Sequence, residues 1–160
     1  GIGLSQRMQS FVLDPAENPY NVVEPGKRPR VTLTPSIAMK KGNPFLAFSV
    51  QGGDTQDQNL LQFLLNMVTW EMHPQEAAEA ANITSFQMRG SFQDHPSEPG
   101  KLWLRNDVPS WVRSELEEMG YKLDLKERTS GPITAIWFDR EHGSMWGAAS
   151  NFGDDYGIAW

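Results

Sequence analysis

Hydrophobic residues along this chain repeat at two spacings, and the change from one to the other marks out its elements. Residues 31–39 and 44–50 alternate or run apolar around Lys40-Lys41-Gly42-Asn43, which predicts two strands joined as a hairpin entering the core. Beyond Gln51-Gly52-Gly53-Asp54 the spacing lengthens. Leu60, Leu61, Leu64, Leu65 and Val68 recur as on a helix, and Phe63, Met67 and Trp70 widen the apolar face. A largely buried helix is predicted, capped by the side-chain oxygen of Asp54 or Thr55 and ending near Glu71. Pro74 at a first helical position, followed by Gln75-Glu76-Ala77-Ala78-Glu79-Ala80-Ala81, predicts a second short helix that ends at Asn82, its alanines permitting close packing. A third, half exposed, is expected from Pro109 or Ser110 to Met119, with Val112, Leu116 and Met119 on one face and Gly120 as its stop. Residues 101–105 read as a strand, and 121–127, 133–139 and 144–149 as strands of an antiparallel sheet.

The stretches between these elements are punctuated by proline and glycine. Residues 14–30 carry Pro15, Pro19, Pro25-Gly26 and Pro29 with little apolar periodicity, an irregular loop of a length at which loops are often functional. Residues 91–100, polar and with Pro96 and Pro99, read as a surface excursion. The expected class is α+β, one domain over residues 1–160 with no internal repeat. The chain opens on Gly1-Ile2-Gly3-Leu4, already strand-like and without an initiator methionine, so it is expected to start in the middle of a fold, as a processed or truncated product.

Composition narrows the functional classes. A formal net charge of −6 argues against a nucleic-acid partner, which needs a clustered basic surface. The absence of cysteine removes disulfides, thiolate metal sites and cysteine nucleophiles together. No apolar run approaches the roughly 20 residues that span a bilayer, so no membrane partner is expected. Six tryptophans and eight phenylalanines imply an aromatic-rich core or aromatics that face another chain.

Few residues present local chemistry. His73, His95 and His142 are too far apart for metal-ligand spacing, and solvent-facing or capping roles are expected for all of them; no metal or cofactor is expected. Glu115, Glu117 and Glu118 read as a solvated helix face. Gly52-Gly53 differs, because it lies between an apolar strand and the start of a buried helix. Glycines there let a substrate approach the backbone, and their N–H groups join the positive end of the helix dipole, a combination that suits an oxyanion hole. The bland alternative is a tight turn. In Thr32-Leu33-Thr34-Pro35-Ser36 alternate hydroxyls fall on one strand face, although threonine is also simply a good strand former. No Ser, Thr or Lys has a local base partner, so nucleophilic catalysis is not assembled from local motifs.

The order of these features resembles the small subunit of gamma-glutamyltranspeptidases. The match runs through Lys27-Arg28-Pro29, the hydroxyl-bearing segment ending Thr34-Pro35-Ser36-Ile37, Gly52-Gly53, the helix start Pro74-Gln75-Glu76-Ala77, and Trp146-Gly147-Ala148-Ala149-Ser150 near the end. The resemblance covers essentially the whole chain. It implies an Ntn-hydrolase αββα four-layer sandwich, made as a precursor that cleaves itself into large and small subunits. It further implies a nucleophilic N-terminal threonine some tens of residues before Gly1, acting with its own amine as base. These residues alone are then inactive. They supply an oxyanion hole at Gly52 and Gly53 and part of a pocket, with the large subunit and the N-terminal part of the small subunit as partners and a small amide as substrate. Family members are often periplasmic or secreted.

Departures from the family pattern bear on the substrate. Where transpeptidases carry an Asn-Asn-Gln-Met-Asp-Asp-Phe segment that binds the glutamyl amino group, this chain has Ser5-Gln6-Arg7-Met8-Gln9-Ser10-Phe11. The carboxylate has become Ser10, which supplies no negative charge for an ammonium group. The serine pair that binds the α-carboxylate corresponds to Val31 and Thr32, so one hydroxyl is lost, whereas Arg7 can hold a carboxylate. The substrate-binding candidates are therefore Arg7, Ser10 and Thr32, and an amide other than a standard gamma-glutamyl amide is expected. The alternatives are a non-catalytic binding or assembly module that keeps the scaffold and, against the mid-fold start and the abundance of aromatics, a stand-alone structural domain.

Overall fold

A computed structural model describes residues 7–151, so the expected strand at Gly1-Ile2-Gly3-Leu4 lies outside the described residues. The hairpin forms as β1 (Ser36–Lys40) and β2 (Asn43–Val50). It turns on Lys41 and Gly42, both at positive φ, which matches the right-handed twist of the flanking strands. There follow α1 (Gln56–Val68), α2 (Pro74–Glu79), β3 (Ile83–Ser85), β4 (Lys101–Arg105), α3 (Ser110–Glu118), β5 (Lys122–Lys126), β6 (Ile133–Asp139) and β7 (Ser144–Ala149). The strands form one antiparallel sheet ordered β1-β2-β6-β7 and a second sheet ordered β3-β4-β5.

The core lies between the larger sheet and its helices. Leu46, Phe48 and Val50 of β2 and Ile133 and Ala135 of β6 point one way and meet Leu60, Phe63 and Met67 of α1, with Ala77 and Ala78 of α2 packed closely as their size allows. Phe48 and Phe63 touch at a ring-centroid separation of 5.8 Å. A smaller cluster of Leu102, Leu104 and Val108 takes Val112 and Leu116 of α3 against the second sheet. The larger sheet's other face carries exposed Ile37 and Ile136.

Glutamine carboxamides act as surrogate strands at two edges. Gln58 and Gln62, one turn apart on α1, each donate to and accept from the backbone of β3, at Ser85 and Ile83. Gln75 of α2 does the same for Ala149 of β7. A carboxamide offers the same donor and acceptor as a peptide unit, so edge groups otherwise left unpaired are satisfied while the helix is docked.

Several expectations are corrected. Residues 31–35 pair with no strand among the described residues, and Pro35 has no N–H to give a ladder. The strand over 121–127 is β5, and it pairs parallel with β4 across α3 instead of joining the antiparallel sheet. An intervening helix is what a parallel pair needs. The short β3 shows no readable alternation in sequence. On α1 the apolar residues Leu61, Leu65, Val68 and, just beyond, Trp70 are exposed, because Leu60, Phe63 and Met67 define the face that meets the sheet. Met119 is likewise exposed. Neither Asp54 nor Thr55 caps α1 with its side chain.

The β6–β7 turn is held by His142. Its ring and backbone N–H groups both bond the Asp139 carboxylate, at 2.8 and 3.2 Å. Burial pushes the Asp139 carboxyl up, but the hydrogen bonds from His142 and its charge outweigh this and leave it below its usual range. The hydrogen bond to Asp139 and its charge raise the His142 pKa. His142 thus contributes stability that is complete below its unfolded value of about 6.5 and is lost as pH rises through the folded one. The Asp139 contribution is complete above about 3.9 and is lost as pH falls through its folded value. The Tm difference between the complete protein and its His142→Ala variant is therefore expected to be larger near about pH 5 than about pH 8. Thermal unfolding at both values checks it, and an equal difference at each would show that the pair does not form.

Candidate functional site

Chain reversal from β2 into α1 builds the centre of the site. The strand ends at Val50, and Gly52 (φ 150°) and Gly53 (φ 59°) turn the backbone into a short 3-10 turn over Gly53–Thr55 that leads into the helix. Both conformations favour glycine. The Thr55 hydroxyl donates to the Gly52 carbonyl at 2.9 Å, which closes the turn from inside. Among the described residues neither the Gly52 nor the Gly53 N–H has an acceptor, and both lie at the positive end of α1. Such preorganised donors can stabilise an oxyanion as it develops.

Polar ties gather distant segments around this turn. Asp54 accepts from the Ser91 N–H at 2.7 Å, and Arg30 donates to the Ser91 hydroxyl at 3.1 Å. Phe92 is the nearest neighbour to where a side chain on Gly53 would begin. The Arg7 guanidinium lies over the Phe92 ring, 5.8 Å from its centroid, and reaches Thr32 Oγ1 at 3.4 Å. Thr34 donates to the side chain of Gln56, the first residue of α1, at 2.9 Å. Beside the turn is a cavity of about 360 Å³ whose lining includes Arg30, Thr32, Thr34, Gly53, Asp54 and Ser91.

Residues 31–35 show an inverted polarity that fits this setting. Thr32 is buried and Thr34 half-buried, whereas Val31 and Leu33 are 58 % and 65 % exposed. The hydroxyls thus turn toward the helix start although no ladder fixes the segment.

The candidates separate into two groups. Gly52, Gly53, Arg7 and Thr32 come together around the turn. Ser10 is 1 % exposed, and its hydroxyl faces the Arg7 and Arg30 carbonyls at 2.7 and 3.2 Å. It ends the short 3-10 turn Arg7–Ser10 that also carries Arg7 and ties that turn to the segment of Arg30. Ser5 and Gln6 lie outside the described residues. Sequence reasoning missed Arg30, Asp54, Ser91 and Phe92 as parts of the site. Arg30 adjoined a recognised motif, but Ser91-Phe92 sat in a stretch whose prolines signalled only a surface excursion. Of the histidines, His73 meets Trp137 edge-on and Trp146 at a tilt, and His95 bonds the Gly90 carbonyl; His142 serves the turn described above. None approaches the glycine turn closely enough to bond it. No group of acidic or histidine side chains able to hold a metal occurs among the described residues.

Comparison with known proteins gives a consistent picture. The family model described as Gamma-glutamyltranspeptidase matches residues 1–160. Glutathione hydrolase proenzyme of Bacillus subtilis is 29% identical over 151 residues, which span 94% of this chain and 24% of that protein. Acylase ACY 1 proenzyme of a Pseudomonas species is 28% identical over 149 residues, spanning 93% of this chain and 24% of that protein. The chain thus covers about a quarter of the length of these curated relatives. A solved gamma-glutamyltranspeptidase from Pseudomonas nitroreducens superposes on 100% of this chain and 82% of its own with a TM-score of 0.78 at 23% identity, so the α+β fold is that of these enzymes.

The Ser10 bridge makes a testable demand on stability. Ser10→Ala removes the one hydroxyl hydrogen that the part-buried Arg7 and Arg30 carbonyls share and is expected to cost about 0.5–1.5 kcal/mol in urea unfolding. No loss of stability would show that water satisfies them.

Proposed function

We propose, because this chain belongs to the gamma-glutamyltranspeptidase family, that it is part of an Ntn-type amide hydrolase or acyltransferase and supplies the oxyanion hole and one wall of the acyl pocket. The observation that carries this reading is the Gly52-Gly53 turn, whose N–H groups have no acceptor among the described residues and lie at the start of α1 beside a hydroxyl-bearing cavity lined by Arg30 and Arg89 and by Asp54 and Asp57. The nucleophile is a threonine on a segment outside these residues, and the rest of the precursor contributes the other walls.

The reaction follows from acyl-transfer chemistry. The threonine Oγ attacks the substrate's amide carbonyl while the threonine's own α-amine takes the hydroxyl proton. The carbonyl oxygen becomes an anion, held by the N–H groups of Gly52 and Gly53. Collapse of this intermediate breaks the C–N bond, the departing amine takes up the proton, and an acyl ester remains on the threonine. Water, or an acceptor amine in transfer, then attacks the ester and releases the acid or a new amide.

The acyl group is an amide's acid portion that carries a carboxylate and needs no α-ammonium. Arg7 holds that carboxylate with help from Thr32, which it already approaches. Nothing anionic stands at position 10, where Ser10 braces loops instead. This points to acylase-like chemistry and away from gamma-glutamyl selection.

Two measurements on the complete enzyme test these assignments. Gly53→Val keeps the N–H but is strained at φ 59°, so it is expected to re-aim that donor and lower the acylation rate by up to about 10²–10³-fold, the size of effect seen when an oxyanion donor is lost, with folded protein recovered. Gly53 is the cleaner site because a Cβ there meets only Phe92, at 3.6 Å, whereas at Gly52 it would press on Thr55 Oγ1 at 2.9 Å. Unchanged acylation would return the glycines to a mere turn. For the acyl pocket, a glutaryl anilide is expected to be cleaved faster than the gamma-glutamyl anilide, which differs by its α-ammonium. Arg7→Ala should lower kcat/KM for the glutaryl compound about tenfold while sparing a neutral acyl anilide, in keeping with one charge-assisted hydrogen bond. Preference for the gamma-glutamyl substrate would overturn the assignment.

A further inference from the structure

The residue placed most tightly against the glycine turn is one that neither periodicity nor motif singled out. Gly131 lies directly across from Gln51, and a Cβ built on it would stand 1.7 Å from the Gln51 carbonyl oxygen and 2.5 Å from the carbonyl carbon. Both are backbone atoms, so no side chain can rotate away. Gly131 itself is not in the left-handed region, so space and not conformation demands glycine there. Its loop is gripped from both sides. Toward the turn, the Gln51 N–H donates to the Pro132 carbonyl at 3.2 Å. On the far side, Thr84 donates to the Thr129 carbonyl at 2.7 Å, Thr129 donates to the Asn82 carbonyl at 3.2 Å, and Asn82 donates to the Ser130 hydroxyl at 3.0 Å. Thr84 and Thr129 are both deeply buried.

The Gln51 carbonyl and the Gly52 N–H belong to one peptide unit, and that unit is trans. In a trans peptide the two groups point in opposite directions. Whatever sets the carbonyl therefore sets the N–H. The geometry points to Gly131 as a positioning residue: by leaving room for the Gln51 carbonyl on one side of the peptide plane, it aims the Gly52 N–H out of the other side as an oxyanion donor. The loop that carries it, pinned by Thr84, holds that plane still. This assignment rests on the oxyanion role proposed above for the glycine turn.

A methyl group at position 131 has to push the carbonyl away by more than an ångström to reach an ordinary contact, which tilts or flips the plane. Misplacement on that scale costs about 10²-fold in rate. In the complete enzyme, Gly131→Ala is expected to lower kcat about 10²-fold with KM within about threefold of the parent, since an interaction made in the transition state is lost. Thr84→Val, which frees the loop without adding a clash, is expected to lower kcat about tenfold with KM again unchanged, and it decides the matter if Gly131→Ala does not fold. A folded Gly131→Ala with parental kcat, or a Thr84→Val that leaves kcat alone or changes KM instead, overturns the proposal. If Gly53→Val still slows acylation in that case, only the positioning role is lost. If Gly53→Val has no effect either, the oxyanion reading itself fails.

Discussion

The chain has to leave a buried strand at Val50 and enter a buried helix at Gln56, and everything around the site follows from how little backbone it has for that reversal. Phe48 and Val50 are committed to the core on one side, and Leu60 and Phe63 to the same core on the other. The connecting residues therefore cannot wander. Two glycines at positive φ make the turn, and among the described residues their own N–H groups, just ahead of the helix, are left without acceptors. The hydrophobic packing that stabilises the sheet and helix is thus also what presents the donors.

Around this apolar frame the loops are held by polar contacts. Ser10 joins the loops of Arg7 and Arg30, and Ser91 links Arg30 to Asp54. Such contacts are directional, so they set the position of a loop that has too few apolar residues to pack by itself. The glutamine carboxamides follow the same logic: Gln58 and Gln62 tie α1 to β3, so the smaller sheet stays in register with the helix that begins at the site.

Much of this was legible beforehand. The hairpin turn and its second strand, the three helices and the strands β4, β6 and β7 stood within a few residues of their expected places, because alternation, helical spacing and proline or glycine stops are local properties. What failed was non-local. β5 has the composition of any short strand, and nothing in residues 121–127 says that its neighbour is β4 and parallel. Leu61 and Leu65 are as apolar as Leu60, and only the position of the sheet decides which of them is buried. Residues 31–35 have the propensity of a strand but no partner to pair with among the described residues.

For the site, the sequence by itself determined the glycine turn between strand and helix, the hydroxyls of Thr32 and Thr34, the cation at Arg7 and an uncharged serine at position 10, since these are matters of residue type and order. Tertiary structure alone decided that Ser10 faces two carbonyls, that Phe92 bridges Gly53 and Arg7, and that Gly131 stands against the Gln51 carbonyl. Those contacts join residues tens of positions apart, and their existence depends on distances and directions that only the packed sheet and helices create.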